Sequence, residues 1–160
     1  MRCSGLALLH YDAATRSVSL IKKTTFPIPP KYTLGRSLAI LFDLFVDFVA
    51  PLDTQIYIRE RAVLSHFADS DRLLRVGGAT DVALFKTKEK VFYDMTPTTI
   101  KKILTGNGRS LKETVAKTLT LYIGEQEYVT DDESDAIAAA LAFLIKEGYI
   151  DDKRDPLSNG

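Results

Sequence analysis

The sequence predicts an α/β fold, a mixed sheet flanked by helices. Three observations carry this. Two strand-like segments open the chain, strands and helices alternate after them, and the helical segments carry apolar residues at the spacing of one buried stripe. A length of 160 residues with 46% hydrophobic side chains suits one globular domain over residues 1–150, followed by a polar tail over 151–160. Charged residues make up 26%, which sets the chain apart from disordered sequences.

The elements follow in order. Gly5 to Tyr11 and Ser17 to Thr24 read as strands joined by a polar turn at Asp12 to Thr15. Pro27, Pro29 and Pro30 break regular structure, and Thr33 caps a helix whose stripe is Leu34, Leu38, Leu41, Phe42, Phe45 and Phe48; Pro51 stops it. Thr54 to Ile58 is a short strand running out at Arg59, Glu60 and Arg61. Asp69 to Leu84 is helical, with Gly77 and Gly78 marking a close helix contact. Val91 to Met95 is another strand, and Pro97 opens a helix to about Leu104. Ser110 with Glu113, and Thr130 with Glu133, have the spacing of capping boxes ahead of two further helices.

The apolar window Leu38 to Pro51 is interrupted by Asp43 and Asp47, so no membrane-spanning segment is expected, and no secretory signal is legible at the N-terminus. The single cysteine, Cys3, cannot form an internal disulfide, which points to a reducing, cytoplasmic setting.

Net charge is zero, but its distribution is uneven. From Lys86 to Lys117 stand eight basic residues (Lys86, Lys88, Lys90, Lys101, Lys102, Arg109, Lys112 and Lys117) against Glu89, Asp94 and Glu113. Glu125, Glu127, Asp131, Asp132, Glu133 and Asp135 follow with no basic residue among them. Cations suit phosphate and clustered carboxylates suit a divalent metal, so the pattern suggests metal-dependent chemistry on a nucleic-acid backbone; an ordinary solvated surface is the competing reading.

Asp132 and Asp135 are three apart on one predicted helix, so they face the same way with side-chain roots roughly 5–6 Å apart. They repel unless a cation lies between them or one is protonated, although the helix N-terminus favours negative charge and needs no metal to explain it. Asp131 and Glu133 are expected to point elsewhere. Glu60, at a strand end, can meet the pair across a cleft as a hard-oxygen ligand, or simply pair with Arg59 or Arg61. In the turn Thr105-Gly106-Asn107-Gly108-Arg109 the glycines permit close backbone approach, so exposed amides can meet a phosphate. Lys101 and Lys112 bracket this turn, with Lys102 and Arg109 beside it. His10 and His66 have no partner at zinc-ligand spacing, and Ser4, Ser65 and Ser70 lack a nucleophile-elbow context, which argues against a zinc enzyme or serine hydrolase.

Taken together, Pro97, Lys101, Thr105 to Arg109, Lys112 and Asp132-Glu133-Ser134-Asp135-Ala136-Ile137-Ala138 resemble the late signature of RuvC-type Holliday-junction resolvases, of the ribonuclease H-like fold. Ile58 to Val63 is similar to the family's strand ending in its second catalytic Glu, and Ala68-Asp69-Ser70 to the start of its next helix. The likeness runs from Gly5 to Gly148. It implies a structure-selective endonuclease of phage or bacterial recombination that acts as a homodimer on branched DNA and resolves four-way junctions.

The same resemblance makes Glu60, Asp132 and Asp135 ligands of two Mg²⁺ or Mn²⁺ ions about 3.5–4 Å apart. It sets Lys101 and Lys112 at the scissile phosphate, and Lys102, Gly106, Asn107, Gly108 and Arg109 on the DNA backbone. It also implies an earlier strand ending in a metal-bridging Asp. No acid precedes Asp12 here, so the expectation is a start at an internal Met, the alternative being a protein without a full metal site. A non-catalytic branched-DNA binder, a YqgF-like RNA nuclease and an α/β interaction module are the other readings.

Overall fold

The structure, a computed structural model, describes residues 4–29, 31–61 and 67–154. Met1 to Cys3, Pro30, Ala62 to His66 and residues 155–160 lie outside the described residues, so the readings that fall on them do too. The elements are β1 (Ser4–Asp12), β2 (Ser17–Phe26), α1 (Leu34–Val49), β3 (Tyr57–Glu60), α2 (Phe67–Lys88), β4 (Phe92–Met95), α3 (Pro97–Thr105), α4 (Lys112–Ile123) and α5 (Asp131–Lys146).

The strands form two separate pairs among the described residues. β1 and β2 are an antiparallel hairpin from Ser4↔Phe26 to Asp12↔Ser17, with a bulge that leaves Ile21 unmatched between the Leu8↔Lys22 and Leu9↔Leu20 pairs. The Asp12 carboxylate closes the turn by accepting from the amides of Ala14 (2.8 Å) and Thr15 (3.3 Å). β3 and β4 are parallel, from Tyr57↔Phe92 to Glu60↔Met95. A parallel pair needs a crossover, and α2 supplies it.

Successive strand residues point to opposite faces, and here both faces are covered. Ala7, Leu9, Tyr11 and Ile58 pack on a core built from α3, α4 and α5, whose fully buried members include Leu104, Leu119, Ile137 and Leu141. Leu6, Tyr57 and Phe92 pack the other way, on Phe45 and Val49 of α1 and Ala83 and Leu84 of α2. The molecule is therefore three layers: helices, strands, helices.

On α1 the buried positions are Ser37, Leu41, Phe45 and Val49, an i, i+4 stripe, while Leu34, Leu38, Phe42 and Phe48 are half-buried at its margins. Thr33 caps α1 by accepting from the Arg36 amide at 3.4 Å. Gly77 and Gly78 mark no close helix contact. Nothing lies within 4 Å of a Cβ placed on Gly78, and Gly77 faces the Arg59 guanidinium. Asp151 to Arg154 is tied down, Asp151 to Arg16 (2.8 Å) and the Lys153 amide to the Tyr122 hydroxyl (2.8 Å). Among the described residues no helix is long and apolar enough to cross a membrane.

Candidate metal and nucleic-acid site

α5 sets the site's position. Its N-terminal turn lies against the start of β1, where Gly5 approaches so closely that a Cβ would overlap the Asp132 carbonyl. The turn is anchored from below by Glu133, which is buried. The Glu133 carboxylate accepts from Lys23 of β2 (3.0 Å) and from the Val129 amide (3.1 Å). Burial opposes ionisation of Glu133, but these two donors outweigh it and hold the carboxyl below its ordinary range. Lys23 also lies over the Tyr128 ring at 4.6 Å.

This anchoring corrects the capping-box reading. Thr130 is the N-cap residue by backbone conformation, but its hydroxyl makes no capping bond, and Glu133 reaches Val129 instead of the Thr130 amide. Ser110 does not cap α4 either. The helix starts at Lys112 behind Leu111, and the Ser110 hydroxyl bonds Thr105 (2.6 Å) and the Asn107 carbonyl (2.8 Å). In both cases a tertiary or turn contact captured the side chain that the local motif had assigned to the helix end.

Above this anchor, Asp132 and Asp135 face the mouth of the cleft that Glu60 enters from the C-terminal end of β3. Solvent reaches Glu60, yet the surrounding protein strips much of its hydration, and repulsion from Asp135 and Asp132 adds to this. Its pKa is pushed up to about 7, with Lys112 and Lys101 pulling the other way. Asp135 is also raised, first by burial, with Asp132 and Asp131 adding to it against Lys112. The Lys112 ammonium lies 3.0 Å from Asp131 and 3.7 Å from Asp135. Asp131 thus points into the group, against expectation. Arg59 is not the partner of Glu60; it turns to Asp94 (2.8 Å) and Asp81 (3.0 Å).

The turn between α3 and α4 is built from its own side chains. Gly106 takes the left-handed conformation (φ 81°) that ends α3. Thr105 accepts from the Asn107 amide, Asn107 Oδ1 accepts from the Arg109 amide (2.9 Å), and the Ser110 amide donates to Asn107 O (3.1 Å). Gly108 is pressed on α3, where a Cβ would stand 2.6 Å from Thr98 Cγ2. The amides of Gly106, Asn107, Arg109 and Ser110 are thus engaged within α3 and the turn. Beside them Lys102 and Arg109 are exposed.

Over residues 1–143 the chain matches the family described as crossover junction endodeoxyribonuclease RuvC. It belongs to that family. Two solved structures share its fold: Thermus thermophilus RuvC (TM-score 0.78, 19% identity, 91% of this chain and 90% of that one) and T. thermophilus RuvC in complex with Holliday junction substrate (TM-score 0.78, 20% identity, 91% and 89%). No curated protein matches the chain in sequence.

Against this RuvC fold, the sequence-predicted residues divide. Glu60, Asp132, Asp135, Lys101 and Lys112 come into electrostatic reach of one another at one end of the strands. The basic run does not stay together. Lys86, Lys88 and Lys90 lie at the opposite end, where Phe92 pairs with Tyr57, and Lys88 is taken up by the carbonyls of Ala50 (2.8 Å) and Leu52 (2.6 Å). Asp12 stands at the far end of β1 from Gly5 and closes a turn, so it does not replace a site carboxylate. Among the described residues no three His, Cys, Asp or Glu side chains are gathered tightly enough to enclose one ion. The donors still suit a hard divalent cation: all are carboxylate oxygens, and burial first, with repulsion from neighbouring carboxylates added, raises the pKa of Glu60 and Asp135, so that a cation among them would favour their charged forms. Sequence reasoning missed Lys23 and Asp131, whose roles depend on contacts across 110 and 19 residues.

Proposed function

We propose that this RuvC-family chain is a structure-selective DNA endonuclease that resolves four-way junctions by Mg²⁺- or Mn²⁺-dependent phosphodiester hydrolysis. It works as one domain over residues 1–150, in the cytoplasm, in recombination and repair. The observation that carries this reading is the meeting of Glu60, Asp132 and Asp135 with Lys101 and Lys112 at one end of the strand layer. T. thermophilus RuvC, of the same fold, has been solved with a Holliday junction, and the same class of DNA is the substrate proposed here.

Glu60, Asp132 and Asp135 would hold the ions, which when bound supply Lewis-acid activation of water and stabilisation of the leaving oxygen. Lys112 holds Asp131 and Asp135 in place and, with Lys101, carries positive charge toward the scissile phosphate. Lys102, Arg109 and the Gly106–Gly108 turn that aims them meet the DNA backbone. Homodimer formation is supported by Val82 and Phe85, apolar side chains on one exposed face of α2 (53% and 58% exposed).

The test is a synthetic four-way junction with Mg²⁺ or Mn²⁺, scored for binding and nicking together. Paired nicks are expected, abolished by a chelator and by Asp132→Asn, with junction binding retained in both. Binding without nicking in the unmodified chain would favour the second reading, a non-catalytic branched-DNA binder. The carboxylates' lack of convergence on one point, among the described residues, is the observation on its side.

A further inference from the structure

The carboxylate end of the strand layer carries cations on both of its sides. On the α5 side stand Lys101, Lys102, Arg109 and Lys112. The α1–α2 side reaches the same end. β2 finishes at Phe26 opposite Ser4, and Gly5 lies on the first turn of α5, so the segment leading into α1 starts level with Asp132. α2 reaches the far end at Lys88, which bonds the Ala50 and Leu52 carbonyls just past α1, so its earlier turns lie at the carboxylate end. Arg61 follows Glu60 and extends the ladder, its amide donating to the Met95 carbonyl (2.7 Å). Strand alternation turns Glu60 with Ile58 toward α5, and Arg61 with Arg59 toward α2, where Arg59 meets Gly77 and Thr80. Lys31, Arg36, Arg61 and Arg72 are thereby gathered at one end of the α1–α2 side, and all four are exposed.

The Tyr32 ring is half-buried on the cluster of Phe26, Ile28 and Leu41, on which Val76 of α2 also packs. The Arg36 guanidinium stands 4.2 Å from the centre of that ring and the Lys31 ammonium 5.8 Å. A guanidinium stacked on a fixed ring is pre-organised, so less freedom is lost when its fork meets a phosphate. Arg72 lies one turn before Val76 on the same face of α2, toward the carboxylate end. The first turn of α1 holds no acid, and Asp71 is taken up by Arg75 (2.9 Å). Among the described residues none of the four cations has an ion-pair partner, whereas Arg59 and Arg75 both do. Unpaired like charges held together repel in the free protein and attract an anionic chain.

We propose that this α1–α2 surface is a second DNA-backbone grip, which holds the arm of a branched substrate adjoining the arm held by Lys102 and Arg109. The inference rests on the DNA-endonuclease reading and adds to it a source of selectivity for branches. A scissile phosphate at Glu60, Asp132 and Asp135 lies between the two surfaces. The strand through it therefore leaves over one surface on its 5′ side and over the other on its 3′ side. In an unbranched duplex both sides belong to one stiff rod, with a persistence length of about 150 base pairs, and folding it over both surfaces costs elastic energy. At a branch point they belong to two arms that already diverge. A junction thus neutralises charge on both surfaces, and a linear duplex on one. Contacts of this kind go to phosphates, so they fix the register on the branch and read no sequence.

The test uses the full chain as Asp132→Asn, so that binding is read without cutting, on a four-way junction and on a linear duplex of one arm's sequence. Arg36→Ala combined with Arg72→Ala is expected to weaken junction binding about tenfold and to flatten its log–log salt dependence by about two units, with duplex binding unchanged. Lys102→Ala combined with Arg109→Ala is expected to weaken both. All four side chains are exposed, so an unchanged thermal midpoint serves as the fold control. Equal weakening of junction and duplex by the first pair, or no effect on either, overturns the second grip; the chain still binds DNA in both cases, and the endonuclease reading is untouched. A chain that binds neither DNA before the arginines are changed removes the grip and that reading together.

Discussion

Gly5 sets the distance between the strand layer and the first turn of α5. Any Cβ there falls on the Asp132 carbonyl, and backbone cannot yield as a flexible side chain can. Gly5→Ala is therefore expected to cost about 1–3 kcal/mol in chemical denaturation, and to reduce nicking more than junction binding because Asp132 is the residue displaced. Glu133 is the buried counterpart. Its replacement by Ala leaves the Val129 amide without its acceptor and Lys23 without its carboxylate, an expected loss of about 1–3 kcal/mol. A Glu133→Gln variant, which keeps an acceptor, should recover part of that stability. If both variants unfold at the wild-type midpoint, Glu133 is not the anchor described.

At the scale of elements, α3, its turn and α4 act as a platform that brings Lys101 and Lys112 to carboxylates borne on β3 and α5. The starts of α4 and α5 were legible as positions but not as bonds, because Ser110 and Glu133 had closer partners in the turn and in β2. On the proposed function both lysines contribute charge to a DNA-binding surface whose affinity comes from counterion release. Lys101→Ala and Lys112→Ala should each weaken junction binding or turnover, and each should flatten the log–log dependence of binding on salt by about one unit. Affinity that ignores salt in the unmodified chain would remove the DNA surface from this platform.

The whole molecule depends on α5, which packs under both strand pairs and presents its acidic turn at one end of them. The proposed homodimer belongs to this scale too. Phe85→Glu on the exposed face of α2 is expected to give a monomer by light scattering and to uncouple the two nicks of a junction, while leaving the monomer's thermal midpoint near that of the wild type. A dimer unaffected by that change would place the interface elsewhere.

Local patterning in the sequence was enough for the order of elements, the α1 stripe and the turn at Asp12, while the resemblance to RuvC resolvases joined Glu60, Asp132, Asp135, Lys101 and Lys112 into one candidate set. The first three follow from periodicity and turn chemistry, which act over a few residues, and the set from a motif whose spacing is kept along the chain. Tertiary structure decided the rest: the split of the basic run, the Lys23–Glu133 anchor, Asp131 turning to Lys112, and two strand pairs facing a cavity in place of one continuous sheet. The physical reason is common to all four. Each depends on groups far apart in sequence competing for the same hydrogen bond, charge or edge, and that competition is settled only when the layers pack.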